Sequence, residues 1–380
     1  MNRDEFTATT GQLVPIPENA WAFVPAPLPP ELDSTWSLIN AATVADRSLG
    51  MLAGIGRTLP NPELLIQPFV RREAVLSSRI EDTQASLADL ALFEAEGQPD
   101  SEKSDVREVA NYIDALRYGI GRLDELPLSL RFIREVHERL MRDVRGGTRA
   151  PGEFRRVQNW IGSPGSSIAT ASYVPPPANE MLTALDSFEK YLHDDSRLPL
   201  LIRAAIVHYQ FEAIHPFLDG NGRVGRLLIT FLLHTAGILD QPLLYLSAYF
   251  ERNRSEYYAR MLEVSRRGAW LDWIDFFLRG VTEQANDAVV RSKRLLDLWK
   301  TYRQRVTSAR SSALLLAVID HLFATPATTV TNIANMFDIT YVAAKNNVDK
   351  LVTAEILRDP KDGRWPKIYI ASELIDALEA

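Results

Sequence analysis

Apolar residues recur at helical spacing through most of the chain, and the breaks in that spacing mark its organisation. Residues 1 to about 30 are different. They interleave Pro15, Pro17, Pro25, Pro27, Pro29 and Pro30 with Trp21 and Phe23, which predicts an extended arm lying on the domain. Asp33 or Ser34 is placed to cap a helix running towards Leu49-Gly50, and Asn61-Pro62 to start the next. From 84 to 145 the pattern predicts further helices, broken at Gly97-Gln98-Pro99-Asp100 and near Leu126-Pro127. Charges there, Glu108 and His137 among them, read as the solvated or locally satisfied side of bundle helices. Between Gly146 and Pro177 the composition turns to Gly, Pro, Ser and Thr around isolated Trp160, Ile161, Tyr173 and Val174, which predicts a β-hairpin. Leu201, Ala204, Ala205, His208 and Phe211 define a helix that Pro216 ends at His215. Leu227 to Leu233 form a buried helix stopped at Ala236-Gly237. Trp270, Trp273 and Phe276-Phe277 close the bundle, and charged helical sequence from about Glu283 to Arg310 reads as a connector.

The stretch His215-Pro-Phe-Leu-Asp-Gly-Asn-Gly-Arg-Val-Gly-Arg226 lies between those two helices and concentrates the chemistry. Gly220-Asn221-Gly222 allows positive φ angles, so that backbone N–H groups at the start of the second helix converge into an anion cradle suited to a phosphate chain. Arg223 and Arg226, three apart, place two guanidinium forks on one helix face. Asp219 is an oxygen ligand of the kind Mg²⁺ takes beside substrate phosphates, and His215 is a base near neutral pH. Upstream, Ser77 and Glu81 stand four apart on one helical face; alone, that spacing reads as a solvated face or a local hydrogen bond.

Composition narrows the class. A chain of 380 residues with 46% hydrophobic content buries a large core, and a net charge of −7 argues against a polyanion-binding protein as a whole. The absence of cysteine excludes disulfides, thiolate metal sites and cysteine nucleophiles. No apolar run approaches the roughly 20 residues of a membrane span, and the N-terminus shows no signal peptide, so the expectation is a cytoplasmic protein without membrane association.

The 215–226 stretch resembles, without a mismatch, the Fic family core motif His-x-Phe-x-(Asp/Glu)-Gly-Asn-Gly-Arg-x-x-Arg. The resemblance covers roughly residues 65 to 285 and implies AMP transfer from ATP to a Ser, Thr or Tyr hydroxyl of a target protein or of the chain itself. By that likeness His215 is the catalytic base. Gly220, Asn221, Gly222, Arg223, Val224, Gly225 and Arg226 bind nucleotide, Asp219 holds Mg²⁺ with Mn²⁺ as the alternative ion, and Tyr257 of the Tyr257-Tyr258 pair touches the base or ribose. The family's inhibitory motif, (Ser/Thr)-x-x-x-Glu-(Gly/Asn), is matched by Ser77 and Glu81, with Asp82 in the last position. It implies that Glu81 pairs with Arg226. The family's flap implies a target-binding strand over Thr170, Ala171, Ser172 and Tyr173. Removal of AMP, another nucleotide donor, and a DNA-binding regulator with a nucleotide-sensing core stand as alternatives; the related Doc kinases carry lysine where this chain has Gly222.

Ala313 to Phe323, Thr329 to Phe337 and Thr340 to Ala354 predict three helices, and Ile356 to Ile370, with Asp362-Gly363 in the middle, a hairpin, together a winged helix. The segment Ser311 to Ala380 holds six Lys/Arg against nine Asp/Glu, so protein contact or a homodimer is as consistent with it as DNA binding. The resulting expectation is an all-α, Fic-type helical bundle with a small β-hairpin flap and a C-terminal winged helix. It divides into an N-terminal arm and helices over 1–100, with the inhibitory helix at about 68–83, a core over 101–285 with the flap at about 158–175, a connector over 286–310, and a tail over 311–380.

Overall fold

The computed structural model describes all residues except 8, 59–61, 98–103, 145–149, 164, 195–197, 240–241, 308–312, 360–365 and 380. The predicted cap at Asn61, most of the break at 97–100 and the turn at Asp362-Gly363 lie outside the described residues. Strands β1 (Gly11–Ile16) and β2 (Ala20–Pro25) come first, then helices α1 (Trp36–Thr58), α2 (Glu63–Ile80), α3 (Leu87–Ala95), α4 (Ser104–Arg122) and α5 (Leu130–Leu140). After the 150–177 segment follow α6 (Ala178–Leu192), α7 (Leu200–Ile214), α8 (Asn221–Thr235), α9 (Ser247–Arg252), α10 (Arg254–Arg267) and α11 (Trp270–Val306). The last part holds α12 (Ala313–Ala324), β3 (Ala327–Thr329), α13 (Val330–Met336), α14 (Tyr341–Thr353), β4 (Ile368–Ile370) and α15 (Ser372–Glu379). No described helix is long and apolar enough to cross a membrane.

Helices α7 and α8 form the centre and are apolar on nearly every side, so each is enclosed by others. Trp273 of α11 is fully buried and donates its indole N–H to the Ala205 carbonyl at 2.9 Å, tying α11 to α7. Helix α11 continues unbroken across the expected connector boundary at 285–286, and α1 packs along it. The first long helix also departs from expectation. It begins at Trp36, capped by the Thr35 hydroxyl on the Leu38 N–H at 3.2 Å, and runs through Gly50 to Thr58. Gly50 faces open space, so it interrupts nothing.

The N-terminal arm does lie on the domain, as a hairpin rather than a polyproline stretch. β1 and β2 pair antiparallel from Gly11↔Pro25 to Ile16↔Ala20, closed by positive φ at Glu18 and Asn19. The Phe23 N–H donates to the Val174 carbonyl at 2.8 Å, so the hairpin holds the end of the 150–177 segment against α7. Among its described residues that segment forms no extended hairpin. Its pairing is a single antiparallel bridge, Ile161↔Tyr173, and Thr170 sits in a turn bonded to Ser167.

The C-terminal part packs on the N-terminal helices: α12 lies against α2, and Ala327 closes on Ala91 and Ala95 of α3. β3 pairs with β4, which also bridges Arg358 through Ile370.

Helix α4 presses on α8 at Gly119, where an added Cβ would come within 2.2 Å of the Phe231 ring, itself edge-on to Phe132 at 5.1 Å. Gly119→Ala gains about 1 kcal/mol of helix propensity but overpacks a rigid ring pair, a term of about 1–3 kcal/mol. Net destabilisation of roughly 0–2 kcal/mol is expected in urea unfolding. A variant more stable than the parent would mean that α4 and α8 have slack between them.

Candidate active site

Helix α7 ends in His215, whose backbone is left-handed (φ 49°, ψ 60°), a sparsely populated conformation for a bulky residue that turns the chain sharply into the loop. Its Nδ1 lies 3.3 Å from the Glu212 carbonyl, which assigns the proton to Nδ1 and leaves Nε2 as an acceptor. Burial and then the neighbouring Arg155 charge push its pKa down to about 4, only partly opposed by that carbonyl and by Glu81. At neutral pH the ring is therefore uncharged and ready to accept a proton.

Side chains rather than regular structure hold the loop. Asn221 accepts from the Phe217 N–H and donates to the Phe217 carbonyl, both at 2.8 Å, closing the loop like a clasp. Phe217 is fully buried and stacks on His137 at 3.7 Å. His137 donates from Nε2 to the Asp219 carbonyl (3.0 Å) and accepts the Gly152 N–H (2.9 Å), its pKa lowered to about 4 chiefly by burial. Arg155 donates to the carbonyls of His215 (3.0 Å) and Val157, so the 150–177 segment grips the loop from its other side.

Of the expected cradle glycines, only Gly220 has positive φ (78°); Asn221 and Gly222 are already the first helical residues of α8. Gly222 is required for a different reason. A Cβ there would stand 2.2 Å from Glu81 Oε1 and 3.0 Å from Arg226 Nη1. Gly225 likewise makes room, its Cβ position lying 2.2 Å from Glu212 Oε1. Val224, between them, is 1% exposed and belongs to the core. Asp219 Oδ1 accepts the Gly220 N–H at 2.7 Å.

The two arginines are buried and face different helices. Arg226 donates from Nε to Ser77 Oγ (2.8 Å) and from Nη2 to the Ser77 carbonyl (2.9 Å) and Glu81 Oε1 (2.8 Å). Ser77 and Glu81 thus meet Arg226 together, with Glu81 contributing one oxygen rather than a bidentate pair. Burial is the largest single influence and works against the Arg226 charge, but Glu81, Tyr257, Tyr258 and Glu212 together outweigh it, so its pKa is raised. Arg223 donates to Glu108 Oε2 at 3.2 Å, with Asp219 Oδ1 3.9 Å away. Among the described residues Arg226 Nη1 and Arg223 Nε are buried donors without a protein acceptor, the condition expected of groups set aside for an anion.

Other placements differ from the sequence reading. Tyr257 is fully buried, stacked on Phe250 at 4.5 Å and hydrogen-bonded to His208 at 2.7 Å, because the apolar face of α10 turns it into the core. Its neighbour Tyr258 is 39% exposed. Thr170 and Ser172 are exposed while Ala171 and Tyr173 are buried, so the segment keeps a strand's alternation with one bridge only. Glu108 is not on a solvated side: it is 6% exposed and shared by Thr83 and Arg223. The signal was a charge within the buried stripe Val109, Tyr112 and Leu116. His137, Arg155 and Glu212 carried no comparable mark.

A helix exit, a clasped loop and a helix start bearing two buried arginines define a class of helical protein built around one loop–helix site. The Fic/DOC family N-terminal model matches residues 39–121 and the Fic/DOC family model residues 127–233, together half of the chain. The chain belongs to the Fic/DOC family. It is 31% identical over 181 residues to a protein adenylyltransferase Fic of Drosophila grimshawi, and 32% identical over 181 residues to that of Drosophila virilis. Each match covers 47% of this chain and 32% of the relative, so the match spans about a third of those proteins. A Fic family protein from Desulfovibrio desulfuricans G20 shares the fold at a TM-score of 0.59 and 17% identity, over 90% of this chain and 98% of that one. Fic-1 from C. elegans does so at 0.53 and 24% identity, over 70% and 74%.

Asp82 has φ 65°, so the position that follows Glu81 needs the left-handed backbone glycine and asparagine favour, and aspartate is among the few other residues that tolerate it. Its carboxylate pairs with Arg254 at 2.6 Å, which holds its pKa down. Asp82→Gly relieves the backbone and loses an exposed pair, two terms of up to about 1 kcal/mol with opposite sign, so its stability should stay near the parent's. Asp82→Val should be destabilised by about 1–2 kcal/mol in thermal or urea unfolding. Equal stability of the Gly and Val variants would mean the turn is not left-handed in solution.

Proposed function

We propose that the chain is a protein adenylyltransferase restrained by its own Glu81. The observation that carries this reading is the Arg226 fork, closed by Ser77 and Glu81 while Nη1 and the helix start beside it remain available to an anion. The substrate hydroxyl attacks the α-phosphorus of ATP, the bond to the β-phosphate oxygen breaks, pyrophosphate leaves, and the hydroxyl proton passes to His215 Nε2. Arg223 and the N–H groups at the start of α8 hold phosphates, and Arg226 takes the γ-phosphate when Glu81 withdraws. Asp219, a single half-exposed carboxylate, fits Mg²⁺ or Mn²⁺, which are commonly held by one or two carboxylates with the remaining oxygens from phosphates and water. Among the described residues no cluster of three or more metal-ligating groups exists, consistent with an ion brought in with the nucleotide. The ion would neutralise phosphate charge. The backbone carbonyls of exposed Thr170 and Ser172 and the Ser172 hydroxyl would face an extended target, the Thr170 hydroxyl being taken up by Ser167.

We read residues 313–370 as a winged helix, with α14 as its outward helix. Tyr341 and Val342 are 47% and 68% exposed at its start, and Lys345 is paired with Asp349. Apolar exposure with a compensated lysine supports protein contact over DNA.

Incubation with ATP labelled on the α-phosphate, followed by peptide mass analysis, tests the reaction; label arriving only from the γ-phosphate would identify a kinase instead. His215→Ala should abolish transfer while nucleotide binding persists. The free enzyme governs kcat/KM, and the active form is neutral His215, so the acid limb should fall near pH 4 rather than near 6.5. A limb at 6.5 would mean the ring is solvated.

Glu81→Gly should raise the initial rate, because carboxylate and γ-phosphate compete for one guanidinium. Since Glu81 supplies one of three bonds to Arg226, an increase of roughly tenfold is expected, the low end for loss of a charged hydrogen bond. A Glu81→Gly variant no faster than the parent, with His215→Ala inactive, would return Glu81 to a residue of a solvated helix face.

A further inference from the structure

We propose that Glu108 is a positioning residue that sets the Arg223 guanidinium for the nucleotide and, through Thr83, fixes the turn carrying Glu81. What Arg223 binds rests on the adenylyl-transfer reading; the positioning itself rests on geometry. Glu108 Oε2 accepts from Arg223 Nη1 at 3.2 Å and from the Thr83 hydroxyl at 2.9 Å, so one oxygen joins the first core arginine to the segment two residues beyond the inhibitory glutamate. One turn earlier on α4, Asp105 accepts the Gln84 N–H at 2.8 Å and secures the same turn.

Two carboxylates from the N-terminal helices therefore meet the two core arginines, and their settings give them opposite roles. Glu81 is at the exposed end of α2, with 34% of its side chain accessible, where a phosphate can replace it. Glu108 is inside α4 with 8% of its side chain accessible, against an Arg223 side chain at 4%. No ligand can displace it without opening α4 from α8. A pair this buried persists in both ligand states, because breaking it leaves an uncompensated charge in the interior. Glu108 accordingly holds one corner of the guanidinium, while Nη2 faces the loop, 3.6 Å from Met141 Sδ and 3.9 Å from Asp219. Removing Glu108 frees Arg223 to turn towards Asp219, which disorders the phosphate contact, and also releases Thr83; with Glu81 replaced by glycine, only the first effect is read.

The experiment is a thermodynamic cycle in full-length protein carrying Glu81→Gly, read by calorimetric binding of a non-hydrolysable ATP analogue and by KM and kcat for transfer. Glu108→Gln, which keeps shape and one acceptor oxygen, should weaken analogue binding about tenfold and raise KM more than it lowers kcat. In an Arg223→Ala background the same change should have almost no further effect, since its action passes through Arg223. Glu108→Asp, which keeps the charge but retracts the oxygen, should fall between parent and Gln. Thr83→Val should raise transfer in the chain with Glu81 and change nothing with Glu81→Gly. Undiminished binding in Glu108→Gln, an equal loss with and without Arg223, or increased transfer on Glu108→Gln would each overturn the proposal. Binding without any transfer in the Glu81→Gly protein would sink the adenylyl-transfer reading while the cycle still decides on Glu108; absence of binding would overturn both.

Discussion

A guanidinium with only a few per cent of its surface exposed must be neutralised by something, and most of the active-site architecture follows from that requirement at Arg226. Helix α2 is placed so that its last turn delivers a hydroxyl, a carbonyl and a carboxylate to one fork. Gly222 lacks a side chain so that the carboxylate can approach, and the chain beyond Glu81 turns left-handed at Asp82 so that α2 stops there. On the proposed reading, the same requirement makes the site responsive to ligand. An anion arriving at the start of α8 offers Arg226 an equivalent partner, so exchange replaces one buried ion pair by another and avoids the penalty of an exposed gap.

The loop between α7 and α8 meets a second constraint, which is to hold a base and a carboxylate at fixed positions without regular hydrogen bonding. Its own side chain, Asn221, supplies both backbone partners of Phe217, while the ring stack from His137 and the carbonyl contacts of Arg155 press on it from two sides. These contacts offset the backbone strain of His215, on the order of 1–3 kcal/mol for a residue held in a sparsely populated region. Rigidity of this kind is what positioning catalysis needs, since the reacting groups are ordered before substrate arrives.

Local pattern carried the helices and the functional loop. The run from His215 to Arg226 places the base, the carboxylate, the glycines and both arginines within twelve consecutive residues, so α7, the loop and α8 were legible from proline, glycine and apolar spacing alone. What the sequence concealed was tertiary. Glu108 reads as a surface charge until α4 is packed on α8, and Tyr257 reads as a ligand contact until α10 turns it onto Phe250 and His208. The predicted flap hairpin shrinks to one bridge because its neighbours are the loop and the N-terminal hairpin, which take up backbone groups such as the Val174 carbonyl that a second strand would have used. That N-terminal hairpin was hidden by its prolines, which are placed where the two-stranded ladder can do without their N–H.

Burial sets the protonation of this centre more than pairing does. His208 and His215 are pushed down to about 3 and about 4, and Glu212, one turn before His215, is pushed up to about 8 although Arg226 opposes the shift. Glu81, the partner of Arg226, works in the opposite direction to it and raises the Glu212 pKa further. The two directions have opposite consequences for folding. Histidines with depressed pKa values cost stability as pH falls from about 6.5 towards 4, because the unfolded chain binds protons that the folded one refuses. A glutamate raised to about 8 costs stability as pH rises from about 4.5 through 8, because the folded chain keeps a proton that the unfolded one releases. Between the two folded pKa values, about 4 and about 8, His215 and Glu212 are both uncharged, so the positive charges of Arg223 and Arg226 are left to Glu108 and Glu81.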